Sequence, residues 1–177
     1  IAINLAKQNA VKTSYDTNLR LNLWGLKRAR KLIHETATKA DILLPSLDEA
    51  RLLSGEQSID DIIGYYMKFG PDILALKCGE QGAVIAYGNK IEFIPPLKVD
   101  AIDTSGAGDT FDGAFLSQLS LGYSPFDAGE YAVTAAGLSV KGYGAVNAIP
   151  LRKAVLKENG NKYKNIAVYS GAPEAAA

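Results

Sequence analysis

The chain predicts an α/β fold in layers, a mostly parallel central sheet covered by helices, and three observations carry that expectation. Short continuous apolar runs, Ile42-Leu43-Leu44 before Pro45 and Ile73-Leu74-Ala75-Leu76 after Pro71-Asp72, have the length and composition of strands buried on both faces. Segments with apolar residues at helical spacing separate them, as in Leu26, Ala29, Leu32, Ile33, Ala37 and Ala40. Between residues 103 and 109 a glycine-rich turn opens directly into a further amphipathic segment.

In chain order, residues 1–9 have helical composition, and Ala10 to Tyr15 reads as a short strand ending at Asp16-Thr17-Asn18-Leu19-Arg20. In parallel α/β sheets ligands bind outside the carboxyl ends of strands, which makes Asp16, Asn18 and Arg20 candidate substrate contacts. An Asx-type turn with a solvated arginine is the plainer alternative. A helix follows from Leu26 to about Lys39, and His34 in its charged middle reads as a solvated surface residue without chemistry.

Asp41 to Leu44 is the next strand, and Ser46-Leu47-Asp48-Glu49 has the spacing of a capping box for the helix after it. A helix over roughly Ser58 to Phe69 leads to the strand Pro71 to Leu76, which ends at Lys77-Cys78-Gly79-Glu80-Gln81-Gly82. Such a turn is either an ordinary β-turn or a loop whose glycines admit backbone beside a phosphate, with Lys77 as a point charge. Cys78 reads as a small packing residue. Val84–Tyr87 and Ile91–Ile94 flank Gly88-Asn89-Lys90, which signals a hairpin and an antiparallel edge.

The turn Asp103-Thr104-Ser105-Gly106-Ala107-Gly108-Asp109 carries the strongest chemical signal. Glycine permits a tight turn and close approach of a ligand, and the free N–H groups at the start of the helix form an anion site. Asp109 lies in the first helical turn beside those donors. The helix end favours a carboxylate anion by about 0.3–1 kcal/mol, so a base able to accept a proton neighbours the anion hole. A simple helix cap is the alternative. The helix itself, from about Gly106 to Leu121, turns Phe111, Phe115, Leu116 and Leu119 inward as core. Ser124-Pro125 starts another helix, in which Ala132, Ala135, Ala136 and Gly137 permit close approach of a neighbouring helix or of a flat ligand. A short helix from Leu151 to Lys157 ends the patterned part, and Gly171 to Ala177 reads as a disordered or artificially appended tail.

Asp103-Thr-x-Gly-Ala-Gly-Asp109 resembles the signature of the ribokinase, or PfkB-type, family of carbohydrate kinases. The resemblance implies a ribokinase-like three-layer fold and gives Asp109 the role of catalytic base toward a sugar hydroxyl. The amides of Gly106, Ala107 and Gly108 become the anion hole for the transferring phosphoryl group. Lys77, Gly79 and Gly82 resemble the family loop that lies along the nucleotide, and Asn147, after the small-residue helix, falls where the adenine is bordered. Many of these kinases have Asn-x-x-Glu where this chain has Ser46-x-x-Glu49, which makes Glu49 a candidate for the magnesium–water network. Asp16-x-Asn18-x-Arg20 with Leu23-Trp24 resembles 2-keto-3-deoxygluconate kinases and some fructokinases; in the former the arginine grips the substrate carboxylate.

The implied cofactors are ATP and Mg2+, with a monovalent cation as an optional third. The implied partner is a small sugar or sugar acid, with homo-oligomerisation through a lid as a further option. The resemblance places the chain in the C-terminal portion of such a kinase, with residues 1–157 catalytic and nucleotide-binding, residues 158–177 an extension, and the early strands and lid outside it. Ribose or fructose phosphorylation is the alternative activity, and a noncatalytic nucleotide-binding module or pseudo-kinase fragment the alternative of another class. Composition narrows the field further. Nineteen basic and nineteen acidic residues leave no net charge, against the basic footprint of nucleic-acid binding, and no run approaches the roughly 18 apolar residues of a membrane span. One cysteine and one histidine among 177 residues argue against a disulfide or a zinc site, and a reducing cytoplasm is expected.

Overall fold

The computed structural model describes residues 2–160. Within them five strands, β1 (Ser14–Tyr15), β2 (Ile42–Leu43), β3 (Ile73–Lys77), β4 (Ala83–Tyr87) and β5 (Lys90–Ile94), form one sheet in sequence order. β1, β2 and β3 pair in parallel, whereas β4 and β5 add as an antiparallel hairpin. The sheet is therefore mixed: parallel from β1 to β3, antiparallel at the hairpin edge expected from Gly88-Asn89-Lys90. β1 is shorter than the run from Ala10 suggested. Ala10 takes a left-handed φ of 54°, and the Thr13 N–H and hydroxyl are both held by the Asp41 carboxylate, at 2.7 and 2.8 Å, so pairing begins only at Ser14.

Among the described residues seven α-helices flank the sheet: α1 (Ala2–Gln8), α2 (Leu26–Ala37), α3 (Leu47–Ser54), α4 (Ile59–Met67), α5 (Ala107–Ser120), α6 (Pro125–Ser139) and α7 (Arg152–Glu158). Side chains alternate along β3, and this divides the core in two. Leu74 and Leu76 join Leu43, Ile62 and Tyr66 under α3 and α4, while Ile73 and Ala75 join Ile85, Phe111, Phe115 and Ala132 under α5 and α6. With helices on both faces, β3 must be apolar from Ile73 to Leu76, which explains its unbroken run. The expected three layers are thus present.

Serines set the helix starts. Ser46, Ser58 and Ser124 each accept the N–H three residues on, and Ser58 and Ser124 also donate to the carboxylates of Asp61 and Asp127 at 2.6 Å. Two glycines of α6 make room for close packing. A side chain on Gly129 would strike Ile94 and Ile85, and one on Gly137 would strike Leu97. His34 departs from the surface position expected of it. It packs among Tyr65, Tyr66 and Phe69 at ring distances of 5.6, 6.1 and 5.2 Å, and its Nε2 is buried without a partner among the described residues. The alternating charges around it on α2 concealed this, because the aromatic partners come from α4 and the turn after it. The tail after Gly171 lies outside the described residues. Among those residues no helix is long and apolar enough to cross a membrane.

Candidate active site

A cleft of about 910 Å³ opens at the carboxyl ends of the parallel strands. It gathers Asp16, Asn18 and Arg20 after β1, Glu49 in the first turn of α3, Lys77 at the end of β3 with Gly79 and Gly82 after it, and Gly106, Ala107, Gly108 and Asp109 at the start of α5. Of the residues singled out by sequence, Asn147 alone stands apart. It is exposed in the turn after α6 and does not line the cleft.

The start of α5 is built by two constraints. Gly106 takes a φ of 73°, in the left-handed region, and a β-carbon there would sit 2.7 Å from the Ala145 side chain. Asp103 supplies the second: its carboxylate accepts the Ser105 N–H at 2.9 Å and the Gly144 N–H at 2.8 Å, fastening the turn to the loop after α6. Those two N–H groups, Gly144 first, hold the Asp103 carboxyl below its ordinary range. The donor set differs from the expected triplet by one member. Ala107 donates its N–H to the Thr104 carbonyl at 3.2 Å, whereas the N–H groups of Gly106, Gly108 and Asp109 donate to nothing among the described residues. Asp109 is exposed to the cleft, and its carboxylate makes no hydrogen bond or ion pair among those residues.

Glu49 is fully engaged. Ser46 caps its N–H at 3.4 Å, but the Glu49 side chain does not close the reciprocal half of the capping box. It crosses to the loop after β1, where its two oxygens accept the Thr17 hydroxyl at 2.7 Å and the Leu19 N–H at 2.9 Å, with the Arg20 guanidinium 4.0 Å away. Those bonds hold Asn18 at a left-handed φ of 38°, a conformation asparagine tolerates better than most residues. Arg20 itself stays 58% exposed, reaching into the cleft.

The two glycines after β3 play different parts. Gly79, at φ 58°, faces open space, so backbone is accessible there. Gly82, at φ 98°, is required by the protein itself, since a side chain would collide with the Ile94 carbonyl and the backbone of Pro95 and Pro96. Lys77 ends β3 with its ammonium only 11% exposed, 2.9 Å from Asp112 and 3.3 Å from Asp16. Asp112 is a residue that sequence reasoning does not single out. It lies one helical turn beyond Asp109 on α5, 13% exposed, with Oδ1 buried and unpartnered among the described residues. Burial outweighs the pull of Lys77, and with Asp16 opposite, the Asp112 carboxyl is pushed up to about 7. The signal available was its spacing: an i, i+3 carboxylate on the face of the candidate base.

Among the described residues no three His, Cys, Asp or Glu side chains cluster as a metal cage. The donor set nevertheless fits magnesium, which keeps several waters and takes one or two carboxylates together with substrate phosphates. Asp16, Asp48, Glu49, Glu80 and Asp109 are the carboxylates lining the cleft; Asp109 is the one at the start of α5, and Glu49, with both oxygens engaged, could contribute only through water.

Residues 1–152 match the pfkB family of carbohydrate kinases. A ribokinase of Staphylococcus aureus (strain COL) is 38% identical over 133 residues, covering 72% of this chain and 44% of the relative. A 2-dehydro-3-deoxygluconokinase of Bacillus subtilis (strain 168) is 34% identical over 149 residues, covering 82% and 46%. The crystal structure of a fructokinase from Vibrio cholerae O395, in a form with fructose, ADP and calcium ion bound, superposes with a TM-score of 0.83 at 28% identity, covering 88% of this chain and 53% of that one. The chain thus spans about half the length of the relatives it matches. With both glycine turns, the aspartate at the start of α5 and the layered sheet in place, the chain belongs to the pfkB family of carbohydrate kinases.

Proposed function

We propose that this chain is the nucleotide-binding and catalytic part of a cytoplasmic enzyme that transfers the γ-phosphoryl group of ATP to a primary hydroxyl of 2-keto-3-deoxygluconate or a close sugar acid. The single observation that carries the reading is the start of α5, where three N–H groups and the Asp109 carboxylate, all without partners among the described residues, open into the same cleft as Arg20. Asp109 takes the proton of the attacking hydroxyl as the new O–P bond forms and the bond to the bridging oxygen of ADP breaks. The N–H groups of Gly106, Gly108 and Asp109 stabilise charge on the phosphoryl oxygens, where preorganised donors are most effective. Phosphoryl transfer rests mainly on positioning and electrostatics, and bound magnesium supplies further charge neutralisation on the phosphates. Gly79 allows backbone to lie along the nucleotide, and Arg20 offers a bidentate fork to the substrate carboxylate.

A second reading, phosphorylation of a neutral sugar such as ribose or fructose, is favoured by one observation: the Glu49 carboxylate lies 4.0 Å from the Arg20 guanidinium and offsets part of its charge. The two readings separate on a substrate panel. With the intact protein, Arg20→Ala is expected to lower kcat/KM for the sugar acid by roughly 10- to 150-fold, the equivalent of about 1.5–3 kcal/mol for a charged hydrogen bond. Neutral sugars should change less than about threefold. Equal losses on acid and neutral substrates would discard the carboxylate clamp, and ATP binding without turnover of any sugar would leave a noncatalytic nucleotide-binding module.

A further inference from the structure

We propose that Asp112 is a positioning residue that fixes the sugar side of the cleft through Lys77 and Asp16 while leaving the nucleotide side unchanged. The inference rests on the kinase reading above. Its basis is the path of contacts. Lys77 leaves the end of β3, meets Asp112 on the second turn of α5 at 2.9 Å, and meets Asp16 on the loop after β1 at 3.3 Å. Three elements that approach the cleft from different directions are joined at one ammonium. The same ammonium lies 3.8 Å from where a β-carbon on Gly108 would stand, so it also abuts the turn that carries Asp109.

A lysine stem has four rotatable carbons, and one partner would leave it free to pivot. Two carboxylates on opposite elements fix it. With Asp112 removed, the ammonium retains only Asp16 at the cleft wall, and both lose the anchor that holds them to α5. The pair is also a weak stabilising device, because two carboxylates share one ammonium and Asp112 Oδ1 is buried without a partner among the described residues. Buried ionic groups of this kind are commonly outdone in stability by apolar residues of similar size. Geometry is the property that only the charged arrangement supplies here. Asp112 does not line the cleft, whereas Asp16 does.

The test is a double-mutant cycle in the intact protein with Asp112→Ala, Lys77→Met and the pair combined, measuring KM for sugar and for ATP separately. Asp112→Ala should raise the sugar KM at least about tenfold with the ATP KM within about twofold, and Lys77→Met should raise the sugar KM at least as much. The double variant should be no worse than the more damaging single, since both act through one contact. Asp112→Glu should recover part of the sugar affinity. Additive effects on the sugar KM, or a parallel rise in the ATP KM of Asp112→Ala, would overturn the proposal. If the intact protein phosphorylates no sugar, the kinase reading fails, and a crystal structure of Asp112→Ala decides the positioning claim by itself. A Lys77 side chain turned away or a displaced 16–20 loop supports it; Lys77 still 3.3 Å from Asp16 in an undisturbed loop refutes it.

Discussion

Replacing Gly106 by alanine tests how the proposed anion site at α5 is built. Two costs arise at this position: a left-handed φ of 73°, and a β-carbon 2.7 Å from the side chain and 3.0 Å from the Cα of Ala145. The backbone cost for a residue with a β-carbon is about 1–2 kcal/mol. The second cost cannot be relieved by rotating a flexible side chain, because Ala145 has none; the loop after α6 must move and disturb the bond from the Gly144 N–H to Asp103. Gly88→Ala is the matched control, since Gly88 has a φ of 60° and nothing within 4 Å of the added carbon. It bears the backbone cost alone, which for a domain of this size lowers Tm by roughly 2–8 °C. Gly106→Ala should exceed that and should also weaken binding of a nonhydrolysable ATP analogue at least about fivefold, whereas Gly88→Ala should leave binding unchanged. Differential scanning calorimetry and titration calorimetry read both quantities. A Gly106→Ala protein no less stable than Gly88→Ala, with undiminished nucleotide affinity, would refute the argument.

Two further predictions concern protonation. His34 is the only histidine of the chain, and burial among the aromatics of α4 and the turn after it, reinforced by Arg30, lowers its basicity below the ordinary value of 6.5, so its imidazole resonances should titrate below that value by NMR. The unfolded chain then binds the proton more readily, and stability tied to neutral His34 is lost as pH falls below about 6.5, a slope that His34→Gln should abolish. Asp112 has the opposite sign: its folded value is raised from 3.8 to about 7, so the native state holds more protons between those limits and stability falls as pH rises through them. Denaturant titrations should show that fall in the natural protein and its absence in Asp112→Asn.

Much of the fold is legible because local chemistry specifies it. Ser46, Ser58 and Ser124 start helices where the pattern puts them, β2 and β3 follow from their unbroken apolar runs, and Gly88-Asn89 closes the hairpin. The residues gathered in the cleft are also legible as turns at strand ends, since a parallel sheet brings those ends together. What escapes a reading of the sequence depends on contacts distant along the chain. Glu49 looks like a capping residue, yet its oxygens are taken by Thr17 and Leu19, 32 and 30 positions away. Asp112 looks like one polar residue of a helix because Lys77, 35 positions earlier, gives it meaning. His34 likewise lies on a charged helix, and α4 and the turn after it cover it. Gly82 also meets a packing demand that the motif does not show: it makes room for the backbone after β5.

The most direct test of the central claim is Asp109→Asn in the intact protein, an isosteric change that removes the proton acceptor and keeps the helix start. ATP-dependent phosphorylation of the preferred sugar should fall about 10²- to 10⁴-fold, the usual contribution of a general base, while the Kd of an ATP analogue stays within about threefold. Turnover within about tenfold of the natural protein, or nucleotide affinity lost in step with turnover, would contradict the assignment of Asp109 as the base.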